Sequence, residues 1–322
     1  MDYSSAPSYV KEYLMYLTVV TGKSPKTVYE YYHDLLNFFR FIKRDRLNSD
    51  QTIENVDVTD IDLDFIKTVT LADAYNFLYY LSDVKKCGAA TRNRKMCSIR
   101  GFFKYMHNKK GLLDTNPVEN LESSSLPKTL PKFLSLNECE ALLNSVDGKN
   151  AKRDYAALVL FLNCGMRLSE LVSINLSDIG SDFITITGKG NKQRNLYLND
   201  ACKNAINDYL TNERNFNNLT DDARKALFVS QKGTRMTPRA MQYVVEKRLN
   251  AAGLSDKNYS THKLRHTAAT MMHKYGGVDI RVLQDVLGHE NLGTTQIYTH
   301  IDSEQIKNAV ESNPIAKIKK DK

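Results

Sequence analysis

The stretch THKLRHTAATMMHKYGGVDIRVLQDVLGHENLGTTQIYTH, residues 261–300, sets an HxxRH element, a Gly-His dipeptide and a late tyrosine in fixed order. The residues that carry that order are His262, Arg265, His289 and Tyr298. Each is weak evidence alone, because the chain has 18 tyrosines and 7 histidines and most of them belong to packing or surface. Together they put a permanent cation, two imidazoles and a phenol in one short run. His262 and His266 stand at i, i+4, a spacing that can chelate zinc. Position 263 is Lys, not the Glu of HExxH, and no carboxylate ligand is evident, so no metal site is expected.

Two more segments extend the pattern: Arg167 in CGMRLSELVSI and Lys189 in ITGKGNKQR. A lone arginine ahead of an amphipathic run is more often a surface or capping residue, and a GKGNK turn alone could suggest a phosphate-binding loop. The turn lacks the GxxxxGK[ST] spacing and the following helix of a nucleotide site. Taken in order, the segments closely resemble the tyrosine recombinases, especially the Xer branch, which resolves or integrates circular DNA. The resemblance covers most of the chain. It implies Arg167, Lys189, His262, Arg265 and His289 as the pocket around a scissile phosphate, with Tyr298 as nucleophile. Glu170, one turn after Arg167, matches a family position that supports that arginine; its alternative is a surface ion pair.

The chemistry explains why such residues are needed. Attack on a phosphodiester passes through a five-coordinate state with extra charge on two non-bridging oxygens, which positioned cationic donors stabilise best in a dry site. Guanidinium stays protonated and binds phosphate oxygens with a planar fork, so Arg167 and Arg265 are expected to clamp the phosphate. A tyrosine hydroxyl, with a pKa of about 10, is a poor nucleophile at neutral pH unless a neighbour accepts its proton. His262 is placed to help. The resemblance gives Lys189 the protonation of the leaving 5′ oxygen, a type of step that contributes about 100- to 10,000-fold. His289 would hydrogen-bond a non-bridging oxygen; some family members carry Trp there, so its loss should hurt least.

Composition bounds the reading. At 322 residues, two domains are the natural expectation. A net charge of +8 implies an acidic partner. Residues 85–110 hold nine Lys or Arg and no acid, whereas residues 50–64 hold six acids and no base. The five cysteines, odd in number and without CxxC spacing, argue against a disulfide frame or zinc ribbon and for a reducing compartment. The N-terminus has no apolar signal core, and no window approaches 18 continuous apolar residues, so a cytoplasmic protein without a membrane segment is expected.

ESSSLPKTLPK, residues 122–132, combines a serine run with two prolines and marks the joint. The expected division is a helical core-binding, SAM-like DNA-binding domain at 1–122, a linker at 123–132 and a catalytic domain at 133–322. Before the joint the pattern is helical at 7–20, after Ser24 and Pro25, at 71–86 and at 91–108. The last of these places Arg92, Lys95 and Arg100 opposite Met96, Ile99 and Phe103, and is expected to lie on DNA phosphates. Beyond the joint, Ser135 caps a helix, 154–163 is apolar and helical, and Gly165 breaks it just ahead of Arg167. Strands are expected at 183–187 and 194–198 around a glycine turn, with a short third strand at 227–230. The fold class is therefore mainly α with a small antiparallel sheet. A helix and lysine-rich tail are expected at 302–322, and the resemblance implies that this tail docks on a neighbouring protomer.

The resemblance implies an enzyme that cuts each strand through a 3′-phosphotyrosyl intermediate and exchanges strands through a Holliday junction, with no cofactor or metal. Implied partners are a double-stranded recombination site and a tetramer, made of this chain alone or with a second recombinase. Activation by a DNA translocase stays open, as does dimer resolution against mobile-element integration. The helical pattern begins at about residue 7, which favours Xer-like simplicity over an integrase with an added arm-binding domain. A type IB topoisomerase, which relaxes circles without exchange, and a non-enzymatic architectural DNA-binding protein are the competing readings.

Overall fold

The structure is a computed structural model that describes residues 2–47, 50–123, 132–188, 193–215, 217–257, 259–287, 311 and 313–317. The chain divides into two compact units, Met1–Thr129 and Leu130–Lys322. The expected linker spans this division, and its residues 124–131 lie outside the described ones.

The first unit is helical: α1 (Ser8–Val19), α2 (Pro25–Arg46), the short α3 (Leu63–Lys67), α4 (Leu71–Asp83) and α5 (Ala89–Asn108). α2 starts where Ser24 accepts a hydrogen bond from the Thr27 N–H and Pro25 fills the first turn, whose N–H needs no partner. Its apolar stripe buries Leu35, Phe38, Phe39 and Ile42 against Phe77 of α4 and Phe102 and Phe103 of α5. The rings meet edge to face, as in Phe38–Phe77 at 5.4 Å between centroids. Each fully buried side chain of this size stabilises by about 1.5–3 kcal/mol. One carboxylate lies inside this packing. Asp34 of α2, fully buried, accepts from both Nη atoms of Arg94 (2.5 and 2.9 Å), Lys95 Nζ (2.9 Å) and Ser98 Oγ (2.8 Å).

The second unit is built on α7 (Ala151–Cys164), which follows α6 (Leu136–Asn144). α7 is apolar almost all round and buried along most of its length, so neighbours pack on every side. Gly165 ends it at φ 61°. A Cβ there would stand 2.7 Å from Leu287 Cδ2, so glycine answers both the left-handed backbone and the close approach. The chain continues through α8 (Leu168–Ser173) and a hairpin of β1 (Phe183–Thr187) and β2 (Gln193–Tyr197). The strands pair antiparallel, with Ile184 opposite Leu196 and Ile186 opposite Arg194, so Arg194 shares the inward face. Then come α9 (Asp200–Asn212), α10 (Asp221–Lys225), α11 (Pro238–Ala251), α12 (Thr261–Gly276) and α13 (Ile280–Leu287).

One expectation is corrected here. Residues 227–230 form no third strand; Val229 makes a single isolated bridge with Arg235. Their apolar run reflects burial instead, since Leu227 and Phe228 are fully buried and Gly233 turns the chain back beside them. The described part of the tail packs on its own unit. The turn Pro314–Lys317 lies against α6, α7, α9 and α12, with Ile315 buried. Asn313 Nδ2 donates to the Leu162 carbonyl at 2.9 Å, one of the last carbonyls of α7, which the helix itself leaves without a partner.

Candidate active site

The end of α7, the start of α8, β2 and α12 bring four charged side chains together. Glu170 is the hub and is 4% exposed. Its carboxylate accepts from the Arg167 N–H (2.8 Å) and Arg167 Nη1 (2.7 Å), and from Arg194 Nη1 and Nη2 (3.0 and 3.1 Å). Arg265 Nη1 lies 3.8 Å away. The bond to the Arg167 N–H follows from spacing: an acid three residues into a helix reaches back to its first N–H. The surface alternative for Glu170 is thus overturned, because burial and three guanidiniums surround it.

Arg265 lies one turn into α12 and is 3% exposed. Its Nη1 donates to the Gly165 carbonyl at 2.8 Å, and its Nη2 donates to the Leu287 carbonyl. Arg194 Nη2 also points to the Leu287 carbonyl, at 3.5 Å. Burial, then the Arg167 charge, pulls the Arg265 guanidinium down to about 10, against the opposing pull of Glu170. Burial pushes the Glu170 carboxyl up, but the hydrogen bonds from Arg194 and Arg167 and the Arg194 charge outweigh it and hold it below its usual range. Three guanidiniums face one carboxylate, so the cluster keeps an excess of positive charge. The Arg167 side chain is 39% exposed, so an anion can reach the cluster from solvent.

His262 stands in the first turn of α12, exposed, with its ring edge-on to His266 at 4.8 Å. Burial, with His262 and Arg265 nearby, lowers the His266 pKa. Lys189, His289 and Tyr298 lie outside the described residues. The structure therefore brings Arg167, Glu170 and Arg265 together, places His262 three residues before Arg265, and adds Arg194. Sequence reasoning treated Arg194 only as a strand residue. The available signal was its parity with Leu196 and Leu198, which puts a cation on the inward face of the hairpin. Among the described residues, no three of His, Cys, Asp or Glu form a metal-ligand group.

In the first unit, Arg92 Nη1 donates to the Cys87 carbonyl at 2.5 Å. Arg100 donates to the Leu121 carbonyl (3.1 Å) and Ser123 Oγ (2.9 Å). Lys95 is bound to Asp34 and its side chain is 12% exposed, which leaves little surface for a phosphate.

The pattern of the phage integrase family matches residues 132–305, and that of the phage integrase N-terminal SAM-like domain matches residues 10–110. The chain is 46% identical over 318 residues to tyrosine recombinase XerC of Caldanaerobacter subterraneus, covering 98% of this chain and 89% of that protein. The chain belongs to the phage integrase family. It is a site-specific tyrosine recombinase, an enzyme of DNA cleavage and strand exchange. The recombinase is also 30% identical to tyrosine recombinase XerD of Oceanobacillus iheyensis, over 94% of this chain and 97% of that one. Its fold matches XerH site-specific recombinase bound to palindromic difH substrate in a post-cleavage complex (TM-score 0.65, 21% identity, 95% and 96% coverage). It also matches a lambda integrase tetramer bound to a Holliday junction (TM-score 0.62, 15% identity, 90% and 79% coverage). Among the described residues, no helix is long and apolar enough to cross a membrane.

Proposed function

We propose that this recombinase is an Xer-type enzyme acting on circular DNA, with Tyr298 as nucleophile and Arg167 and Arg265 as the clamp on the scissile phosphate. The observation that carries this reading is the cluster on Glu170, where buried and half-exposed guanidiniums converge with more positive than negative charge. Such a site binds a phosphodiester and gains strength as charge develops on it. Tyr298 Oη attacks phosphorus while His262 accepts the phenolic proton. The bond from phosphorus to the 5′ oxygen breaks, and Lys189 protonates that oxygen. The products are a 3′-phosphotyrosine and a free 5′ hydroxyl, so the phosphodiester energy is kept and the partner strand's hydroxyl can reverse the step. His289 hydrogen-bonds a non-bridging oxygen, and Glu170 orients the arginines.

The XerC and XerD relatives support the Xer reading, and the lambda integrase tetramer supports an assembly of four protomers on two duplexes. Arg92 and Arg100 would contact phosphates from the N-terminal domain, which positions the duplex without reading its sequence. The test is Tyr298→Phe on a nicked suicide duplex selected from a randomised pool by covalent capture with the wild-type chain. The variant should bind with nearly unchanged affinity and form no adduct. An adduct formed by the variant would place the nucleophile elsewhere.

A further inference from the structure

Arg194 makes a fork-on-fork pair with Glu170, two parallel bonds at 3.0 and 3.1 Å, the strongest geometry available to a carboxylate. Arg167 reaches the same carboxylate through Nη1 alone among its side-chain atoms, and Arg265 Nη1 stays at 3.8 Å. A buried carboxylate attracts every cation near it. Were Glu170 not already taken by Arg194, its remaining acceptor sites would draw in the rest of the Arg167 fork and turn it away from a ligand, whereas Arg265 is held in place by the Gly165 and Leu287 carbonyls. Arg194 itself lies deeper in the unit, at 20% side-chain exposure against 39% for Arg167. Its Nε is buried with no hydrogen-bond partner among the described residues. Leaving such a donor unmade is costly, so the bonds to Glu170 and the Leu287 carbonyl set the side chain's orientation at the expense of Nε.

We infer that Arg194 is a positioning residue for strand cleavage: it saturates Glu170, so that Arg167 presents its donors to the scissile phosphate. Arg194 also adds the charge that keeps the cluster net positive; without it, two guanidiniums would share one carboxylate and the excess would fall from two to one. This inference rests on the reading of Arg167 and Arg265 as the phosphate clamp. It assigns Arg194 no contact with DNA.

The test uses the full chain and the selected suicide duplex in two forms, one with the natural scissile phosphate and one in which a methyl group replaces a non-bridging oxygen. The methyl form removes a negative charge, so it needs the clamp less. Arg194→Ala should bind both duplexes within about twofold of wild type, because the far larger set of phosphate contacts is untouched. On the natural phosphate it should cleave about 10- to 100-fold slower, the range of one lost electrostatic contact or less. On the methyl form the defect should shrink to less than about threefold. Arg194→Lys keeps the charge and loses the fork; it should show the same pattern at smaller size and serves if the alanine variant fails to fold.

Equal slowing on both duplexes with a lowered unfolding midpoint would reduce Arg194 to a structural residue. Wild-type rates on both would remove any role. Arg167→Ala is the control on the underlying reading. If Arg167→Ala cleaves the natural phosphate at the wild-type rate, the clamp reading fails, whatever Arg194 does. If Arg167→Ala is slow and both Arg194 variants are normal, only the present inference fails.

Discussion

Glu170→Gln is the sharpest probe of the charge cluster, because it keeps the shape of the side chain and removes its charge. Glu170 accepts four hydrogen bonds within 3.1 Å, two from Arg167 and two from Arg194. A glutamine amide would turn its NH2 toward donors, facing either the Arg167 N–H or the guanidiniums. It would also leave three cations without a counter-charge. Removing one partner of a buried ion pair costs about 3–5 kcal/mol. Arg265 points the same way: burial and the Arg167 charge already pull its guanidinium down to about 10 even with Glu170 present. With a urea slope of about 2–3 kcal/mol per M, the midpoint of the catalytic unit should fall by about 1–2.5 M at pH 7. The pH dependence has a definite sign. Because the Glu170 pKa is lowered by folding, its contribution is complete above the ordinary value of 4.5 and disappears as pH falls through the lower folded value. The gap between wild type and variant should therefore close in acid. Added sulfate should stabilise the variant more than the wild type, since it supplies the missing negative charge. A midpoint within about 0.3 M of wild type at pH 7, or a gap that persists unchanged in acid, would refute the reasoning.

Gly165→Ala forces a β-carbon into a left-handed turn and against Leu287, so unfolding should become easier by about 1–3 kcal/mol; equal stability by urea titration would contradict the fold account. Lys95→Ala should destabilise the N-terminal domain by leaving Asp34 short of a partner, yet hardly change the salt dependence of DNA binding. Arg92→Ala, which pairs only with a neutral carbonyl among the described residues, should flatten that dependence by about 0.9 in log–log slope; equal flattening by both would place Lys95 on DNA. His266 titrates below its ordinary 6.5 in the folded chain, so the unfolded state takes up the proton first and stability falls as pH drops through about 6.5. His266→Gln should remove that part of the thermal-melt profile between pH 7 and 5, and an unchanged profile would discount the burial argument.

Where the chain announces itself locally, its sequence was readable. Ser24 with Pro25, and Ser135 with Glu138, are caps whose hydrogen bonds depend on neighbours within three residues, and both helices start there. Gly165 was legible as a break for the same reason. The strand at 227–230 misled because a run buried on all sides has no period that separates strand from loop. The site divides along the same line. Arg167 and Glu170 are three apart, and their pairing follows from helix geometry. Arg194 is 24 residues from Glu170, on another element, and a single sequence carries no sign of which acid an inward cation will meet. Asp34 was invisible for the same reason: its partners, Arg94, Lys95 and Ser98, lie about 60 residues away. The basic run around them looked like one solvated or DNA-facing stripe, whereas part of its charge is spent inward.

The anchoring of Leu287 and Asn313 has a topological side. Arg265 joins the Leu287 carbonyl to that of Gly165, and Asn313 joins the carbonyl of Leu162, so both anchors sit within one turn at the end of α7. The covalent stretch between those anchors includes Tyr298. Chain and anchors together close a ring on a single protomer. A ring cannot be lent to another molecule unless one clasp opens. The clasp at Leu287 is charge-assisted, a class of bond of about 1.5–3 kcal/mol, whereas the amide clasp at Asn313 is of the neutral class, about 0.5–1.5 kcal/mol. Any exchange of the chain end between protomers must therefore either break the Arg265 bond to Leu287 or release the Asn313 amide and withdraw the buried Ile315 from the core.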